Sequence, residues 1–240
     1  MQVWNSKIME VFFNPTVDLT QYKQEFGINK RVRISDFLDI SKAKALSKTL
    51  CEDIQFNTAL FHEGKNVELT NEQWNSLTDK KKQSVYRQLM TNAASGIGFI
   101  YGRRKVQIDD PVSDLSNAFS AINNDTFFDK IRALTGMSDI NCVNMQATRY
   151  SPGQFLTRHN DVVEAERRRL AYVINLAPQW HPDWGGLLQF YQEDGTTTES
   201  WAPEFNTLSL FDVKHIHSVS YVTPFAQQPR YALTGWFKAT

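Results

Sequence analysis

The sequence predicts an α+β fold in which a double-stranded β-helix (a jelly roll) packs against N-terminal helices. Three observations carry that expectation. Over residues 35–136 apolar side chains recur at helical spacing. After Asn141 the chain breaks into short runs rich in β-branched and aromatic residues, separated by Pro and Gly turn signals. The length, 240 residues, suits one domain able to bury a sizeable core. The chain is therefore read as a single domain over 1–240. Residues 1–140 form a mainly helical support, and 141–240 form the jelly-roll core that carries the functional site.

In the support, residues 41–54 place Ala45, Leu46, Leu50 and Ile54 near one helical face. Thr70-Asn-Glu-Gln73 is a capping box, in which the Thr and Gln side chains each satisfy a free N–H of the first turn, ahead of Trp74 and Leu77. Residues 82–94 continue with Val85, Leu89 and Met90, and 124–134 form a further helix that Gly136 is placed to end. Lys80-Lys81-Lys82 reads as a solvated helical face.

In the core, the predicted strands are 143–150, 170–177, 187–191, 207–211, 216–222 and 231–237. Ser-Pro-Gly, Pro178, Gly185-Gly186, Asp194-Gly195, Pro203 and Pro224 separate them. Several short strands of this kind are the pattern of a jelly roll. The polar stretch 193–206 reads as a mobile loop.

Composition narrows the function. Lys+Arg and Asp+Glu are both 26, so the formal charge is zero and there is no electrostatic footprint for general nucleic-acid or anionic-membrane binding. An aromatic content of 12% suits a globular chain with deep pockets. Cys51 and Cys142 stand far apart and form no metal motif, which suits a reducing, cytoplasmic setting. No apolar run approaches the roughly 18 residues of a membrane span, and the first fifteen residues lack a basic-then-apolar export signal.

The chemistry is concentrated in His159-x-Asp161, a histidine near 217, and Arg230. In an extended strand residues i and i+2 point to one face, so His159 and Asp161 could reach one ion. Two histidines and one carboxylate can hold one face of a ferrous ion and leave the opposite positions open. His181-Pro-Asp183 is a second match, but among Trp180, Pro182, Trp184 and Gly185-Gly186 it reads as a turn. His215 and His217 are two apart, so periodicity leaves the third ligand open between them. His62, before Glu63-Gly64, reads as a loop residue of the helical half. An isolated H-x-D is most often a surface pair, and an isolated strand-end arginine most often a salt-bridge partner. Arg230 gains weight from following the metal pattern, because its planar fork matches a carboxylate and Thr234 shares its strand face.

Five segments go further: Tyr-Ser-Pro-Gly-Gln-Phe-Leu-Thr-Arg-His-Asn-Asp (150–161), Arg-Arg-Leu-Ala-Tyr-Val-Ile-Asn-Leu (168–176), Trp-Gly-Gly-Leu-Leu-Gln-Phe-Tyr (184–191), His-Ser-Val (217–219) and Arg-Tyr-Ala-Leu-Thr-Gly-Trp-Phe (230–237). In order and spacing, residues 141–240 resemble the prolyl 4-hydroxylase-like branch of the iron/2-oxoglutarate dioxygenases, and within it the ribosomal-protein prolyl hydroxylases. The N-terminal half resembles that branch only in being helical.

The resemblance implies Fe(II), 2-oxoglutarate and O2, with ascorbate an admissible reductant. It implies His159, Asp161 and His217 as iron ligands, since Ser-Val follows His217 and not His215. Arg230, helped by Thr234, is the implied anchor for the far carboxylate of 2-oxoglutarate. Tyr150 is implied near co-substrate and target, and Arg168 and Trp236 as lining of the proline pocket. Asn175 stands where many relatives place a tyrosine that binds the co-substrate carboxylate; on this reading Tyr172 or a water replaces that contact. Trp236 stands where nucleic-acid demethylases of the superfamily carry a second arginine, and Asp161 is the acid that halogenating relatives lack.

The implied activity is hydroxylation of a prolyl residue in a protein or peptide, releasing succinate and CO2. Peptide substrates need an open groove, for which 193–206 is a candidate flank. The first alternative is a hydroxylase of free proline or another small metabolite, with Arg149, Arg158 or Arg168 meeting its charged groups. An alternative of a different class is a non-catalytic metal-binding sensor or interaction module. The sequence leaves the oligomeric state open.

Overall fold

The computed structural model describes residues 12–240; residues 1–11, which hold most of the segment read for an export signal, lie outside the described residues. The first half runs α1 (Lys23–Asn29), β1 (Arg31–Ile34), α2 (Ile40–Lys48), β2 (Asn57–His62), β3 (Lys65–Leu69), α3 (Asn71–Ser76), α4 (Asp79–Ala94), β4 (Phe99–Val106), α5 (Ser113–Ile122) and α6 (Asp125–Thr135). Nine strands follow: β5 (Cys142–Val143), β6 (Met145–Tyr150), β7 (Phe155–His159), β8 (Arg168–Asn175), β9 (Leu188–Tyr191), β10 (Thr197–Trp201), β11 (Thr207–Asp212), β12 (Ile216–Val219) and β13 (Arg230–Lys238).

The hydrogen-bonded path β1-β11-β8-β13-β6-β4-β7-β12-β9-β10 is antiparallel throughout. It curls into two walls. β11-β8-β13-β6 forms one and β7-β12-β9-β10 the other, joined where Phe99 and Ile100 pair with Leu156 and Phe155. Ala171, Val173, Phe211 and Ala232 of the first wall meet Leu188 and Phe190 of the second. This is the predicted jelly roll.

Strand alternation gives the first wall two unlike faces. Leu170, Tyr172 and Ile174 on β8, with Tyr231, Leu233 and Phe237 on β13, are buried against the helices. Ala171, Val173, Arg230, Thr234 and Trp236 line the interior instead. Gly235 falls on the helix side, where a Cβ would lie 2.0 Å from the Asn144 carbonyl oxygen, so only glycine admits that approach.

The predicted capping box forms, with both the Thr70 and the Gln73 bonds present. Asn124, read as the first residue of a helix, caps it instead, accepting from the Phe127 amide at 3.0 Å. Gly136 ends α6 at φ 76°, in the left-handed region that glycine enters without a Cβ penalty.

Several expectations are corrected. The buried face of α2 is Ala43, Leu46 and Ser47, continued by Leu50, whereas Ala45 is exposed. The segment read as helical, 35–136, also holds three strands, β2, β3 and β4. His62 is not in a loop but ends β2, and Glu63-Gly64 turns the chain at φ 49° and 76°, the two positive values of a type I′ hairpin. Likewise 193–206 is not a free loop: β10 lies within it, pairs with β9, and its Glu199 forms an ion pair with Arg31. Both misreadings have one cause. β3 and β10 each pair with a single hairpin neighbour and hold only exposed or half-buried residues, so neither carries the apolar alternation of a core strand. Among the described residues, no helix is long and apolar enough to cross a membrane.

Candidate active site

His159 is the last residue of β7, and the antiparallel register places it directly opposite His217 of β12. The imidazole centroids are 4.2 Å apart. Asp161, two residues past the strand end, is held by its own amide, which donates to the Val213 carbonyl at 2.9 Å. Its carboxylate lies between the rings, with Oδ1 at 3.7 Å from His159 Nε2 and Oδ2 at 3.4 Å from His217 Nε2. One ligand atom from each of the three falls within 4.8 Å of the others. Each imidazole donates through Nδ1–H to a carbonyl two residues upstream, Thr157 for His159 and His215 for His217, both at 2.9 Å. That fixes the tautomer and leaves Nε2 as a lone pair facing the carboxylate, the orientation a metal ligand needs.

Electrostatics favour the same state. Burial and the neighbouring His217 push His159 down to about 4, so it is neutral at neutral pH. Burial opposes the charge on Asp161, but the two histidines hold its carboxyl below the usual range.

A cavity of about 230 Å³ opens from this trio along the interior face of β13 to Arg230. Arg230 is 3% exposed, and among the described residues no carboxylate pairs with it. Its Nη1 donates to the Gly186 carbonyl at 2.7 Å and its Nη2 to Asn175 Oδ1 at 3.3 Å, while the buried Nε–H has no partner. Burial lowers its pKa to about 10. A buried guanidinium with no counter-charge and a spare donor suits an anionic ligand, since an uncompensated buried charge is costly. Tyr150 lies beside it, the guanidinium carbon 5.7 Å from the ring centroid. Burial keeps that phenol well above its ordinary pKa, hence protonated.

The structure brings most of the predicted residues together. His159, Asp161, His217, Arg230, Tyr150, Arg168, Thr234 and Trp236 all line the one cavity. Thr234 is four residues along the strand from Arg230, roughly 13 Å by strand rise, and its hydroxyl accepts from Gln146 Nε2 at 3.2 Å. It therefore sits mid-cavity. Arg168 stacks over the Trp236 indole at 3.7 Å and comes within 3.9 Å of Asp161 Oδ1. His181 lies in the expected turn, and His215 Nε2 contacts the Asn29 carbonyl instead of the carboxylate. Tyr172 also borders the cavity, but its ring packs in the helix-side core against Phe237 and its hydroxyl donates to the Asn144 carbonyl at 2.9 Å, so the phenol is already committed.

Sequence reading missed the wall supplied by β4 and β6: Tyr101, Arg103, Gln146 and Thr148. Tyr101 stacks on Tyr150 with centroids 5.0 Å apart, and Arg103 is clamped by Glu68 of β3. The signal was present in the alternation Phe99, Tyr101, Arg103 directly after Gly98.

Comparison with known proteins adds the lineage. Residues 145–238 match the model of the 2OG-Fe(II) oxygenase superfamily. The match spans that segment alone. The facing histidine–carboxylate trio and the guanidinium without a counter-charge are groups that would fit the Fe(II) and 2-oxoglutarate of that superfamily's name. A 102-residue stretch is 32% identical to mouse prolyl 3-hydroxylase OGFOD1, spanning 40% of this chain but only 18% of the mouse protein. Two solved structures share this fold. A Pseudomonas putida prolyl-4-hydroxylase superposes with TM-score 0.63 at 19% identity, covering 92% of this chain and 99% of that one. A Trichoplax adhaerens prolyl hydroxylase, in complex with a hypoxia inducible factor peptide fragment, gives 0.64 at 17% identity, covering 100% and 94%.

Proposed function

We propose that the protein is an Fe(II)- and 2-oxoglutarate-dependent dioxygenase that hydroxylates a prolyl residue within a protein or peptide. The observation that carries this reading is one cavity with a facial ligand trio at one end and a buried, unpaired guanidinium at the other. His159, Asp161 and His217 would hold the iron, and Arg230 the far carboxylate of 2-oxoglutarate. The bound metal and co-substrate supply the oxidising chemistry.

The chain's own residues bind, orient and exclude water. Tyr150 and Tyr101 close one side of the cavity as a stacked pair, and Leu188, Val173 and Phe211 keep its depth apolar. The Arg168–Trp236 stack stands beside the Asp161 carboxylate, where an indole face can pack a pyrrolidine ring and a guanidinium can donate to a target carbonyl. A groove of about 750 Å³ adjoins the cavity and shares Arg103, Gln146, Arg168 and Trp236 with it. That favours a target carried on a polypeptide over a free amino acid. Two free cysteines and a neutral balance of charge suit a cytoplasmic enzyme acting on protein and not nucleic acid.

The mouse relative is named a prolyl 3-hydroxylase and the Pseudomonas protein a prolyl-4-hydroxylase, so the ring position is the finer question. Proline-containing peptides and free proline, incubated with Fe(II), 2-oxoglutarate and O2, are screened by mass spectrometry for a gain of one oxygen atom matched by succinate. The expected result is oxygen on a prolyl residue of a peptide, with fragmentation separating carbon 3 from carbon 4. Oxygen on free proline alone would select the small-metabolite reading. No succinate, with or without peptide, would select the non-catalytic module.

A further inference from the structure

The guanidinium of Arg230 is aimed by a relay running away from the cavity into the sheet. Asn175, the last residue of β8, faces Thr207 of β11 on one side and Ala232 of β13 on the other. All the side chains of the relay are sealed from solvent: Asn175 is 2% exposed, Thr207 1% and Arg230 3%. Thr207 donates its hydroxyl hydrogen to the Glu204 carbonyl at 2.8 Å. A hydroxyl has one hydrogen, so towards Asn175 it can only accept. It accepts from Asn175 Nδ2 at 3.0 Å, which turns Oδ1 of the same amide to Arg230 Nη2 at 3.3 Å. The polarity of the amide is thus set by a threonine that does not touch the arginine.

We infer that Asn175 is a positioning residue, held by Thr207, that fixes Arg230 for the far carboxylate of 2-oxoglutarate and does not itself bind the co-substrate. Gly186 fixes the other nitrogen, its carbonyl accepting from Nη1 at 2.7 Å; at φ 62° a Cβ there would meet Trp180 Cζ2 at 3.0 Å and Val222 Cγ2 at 3.2 Å. With both ends of the fork tied to neutral acceptors, the orientation is set while the positive charge stays uncompensated. A carboxylate in place of Asn175 would orient the fork equally well, yet it would cancel that charge.

The inference depends on the proposed role of Arg230, and the test separates the two. 2-Oxoglutarate binding is measured by calorimetry on the Fe(II)-loaded protein without oxygen, alongside KM and kcat for succinate formation and the melting temperature. Asn175→Ala is expected to weaken 2-oxoglutarate binding about ten-fold, the size of one hydrogen bond to a charged group, with iron affinity and kcat near wild type. Asn175→Asp is expected to weaken it more than Asn175→Ala does, although aspartate is the closer isostere. Thr207→Val, nearly isosteric but unable to accept, should weaken binding several-fold by freeing the amide to turn its N–H groups on the guanidinium. Thr207→Ser should restore wild-type binding. A packing role predicts the reverse order in both pairs, with valine and aspartate the milder changes, and that result would overturn the relay. If Arg230→Ala loses 2-oxoglutarate while the Asn175 and Thr207 variants keep it, the relay alone falls. If Arg230→Ala binds as wild type does, the reading of Arg230 falls and takes the relay with it.

Discussion

The two ends of the cavity are built by opposite means. At the metal end one pair of neighbouring strands sets most of the geometry. One cross-strand pair, His159 opposite His217, sets the separation, and each ring is oriented by a carbonyl two residues away on its own chain segment. Asp161 follows His159 by two residues. At the other end Arg230 depends on contributions from distant segments: the 185–186 turn, β8 and, through Asn175, β11. The charges differ as well. Asp161 meets two imidazoles, whereas Arg230 meets only neutral acceptors and the face of Tyr150. A site that must hold a cation can be specified by short-range geometry and a carboxylate. A site that must hold an anion needs a cation left without its own partner, and keeping such a group buried and oriented takes contacts from many strands.

This contrast breaks first, if it is wrong, at Asp161. Asp161→Ala removes the only carboxylate of the trio and is expected to abolish iron binding and succinate formation, while the metal-free protein stays folded. Iron titration with circular dichroism checks both, and retained turnover would remove the trio from its role. The next largest effect belongs to Arg230. Arg230→Ala should raise the 2-oxoglutarate requirement about 100-fold, since charge-assisted hydrogen bonds are worth about 1.5–3 kcal/mol, and leave iron affinity nearly unchanged. Equal losses of iron and co-substrate binding would mean that the two ends are not separable.

The same contrast explains what could be read before the structure. The H-x-D spacing, the fold class and the strands that bear Arg230 and His217 were legible, because they depend on two-residue alternation and on turn residues within a short window. The capping box at Thr70 and the end of α6 at Gly136 were legible for the same reason. Tyr101 and Arg103 were not, since β4 becomes part of the cavity only by pairing with β6 more than forty residues later. The partnership of Asn175 with Thr207 and Arg230 joins three strands and leaves no mark at any fixed spacing. The bond from Tyr172 to the Asn144 carbonyl was not legible either, although parity points towards it: an odd separation of three puts the Tyr172 and Asn175 side chains on opposite faces of β8.

That parity argument sharpens the comparison with the smallest of the expected effects. Tyr172 and Asn175 share a strand, yet the phenol is bonded within the helix-side core while the amide, on the opposite face, accepts from Arg230. The Tyr172 hydroxyl donates to the Asn144 carbonyl, the same oxygen that Gly235 approaches too closely for any Cβ. Tyr172→Phe removes that bond and leaves a buried acceptor short of a partner, at a cost of about 1–2 kcal/mol. For a chain of this size that is a fall of roughly 2–8 °C in melting temperature. Because the ring packs against Phe237 and its hydroxyl is turned to Asn144, the 2-oxoglutarate KM should not move. A raised KM with an unchanged melting temperature would place the phenol on the co-substrate side and overturn the division of β8 into two faces. A lowered melting temperature with an unchanged KM would tie the hydroxyl to the fold alone and leave Asn175 as the member of this strand that serves the anion.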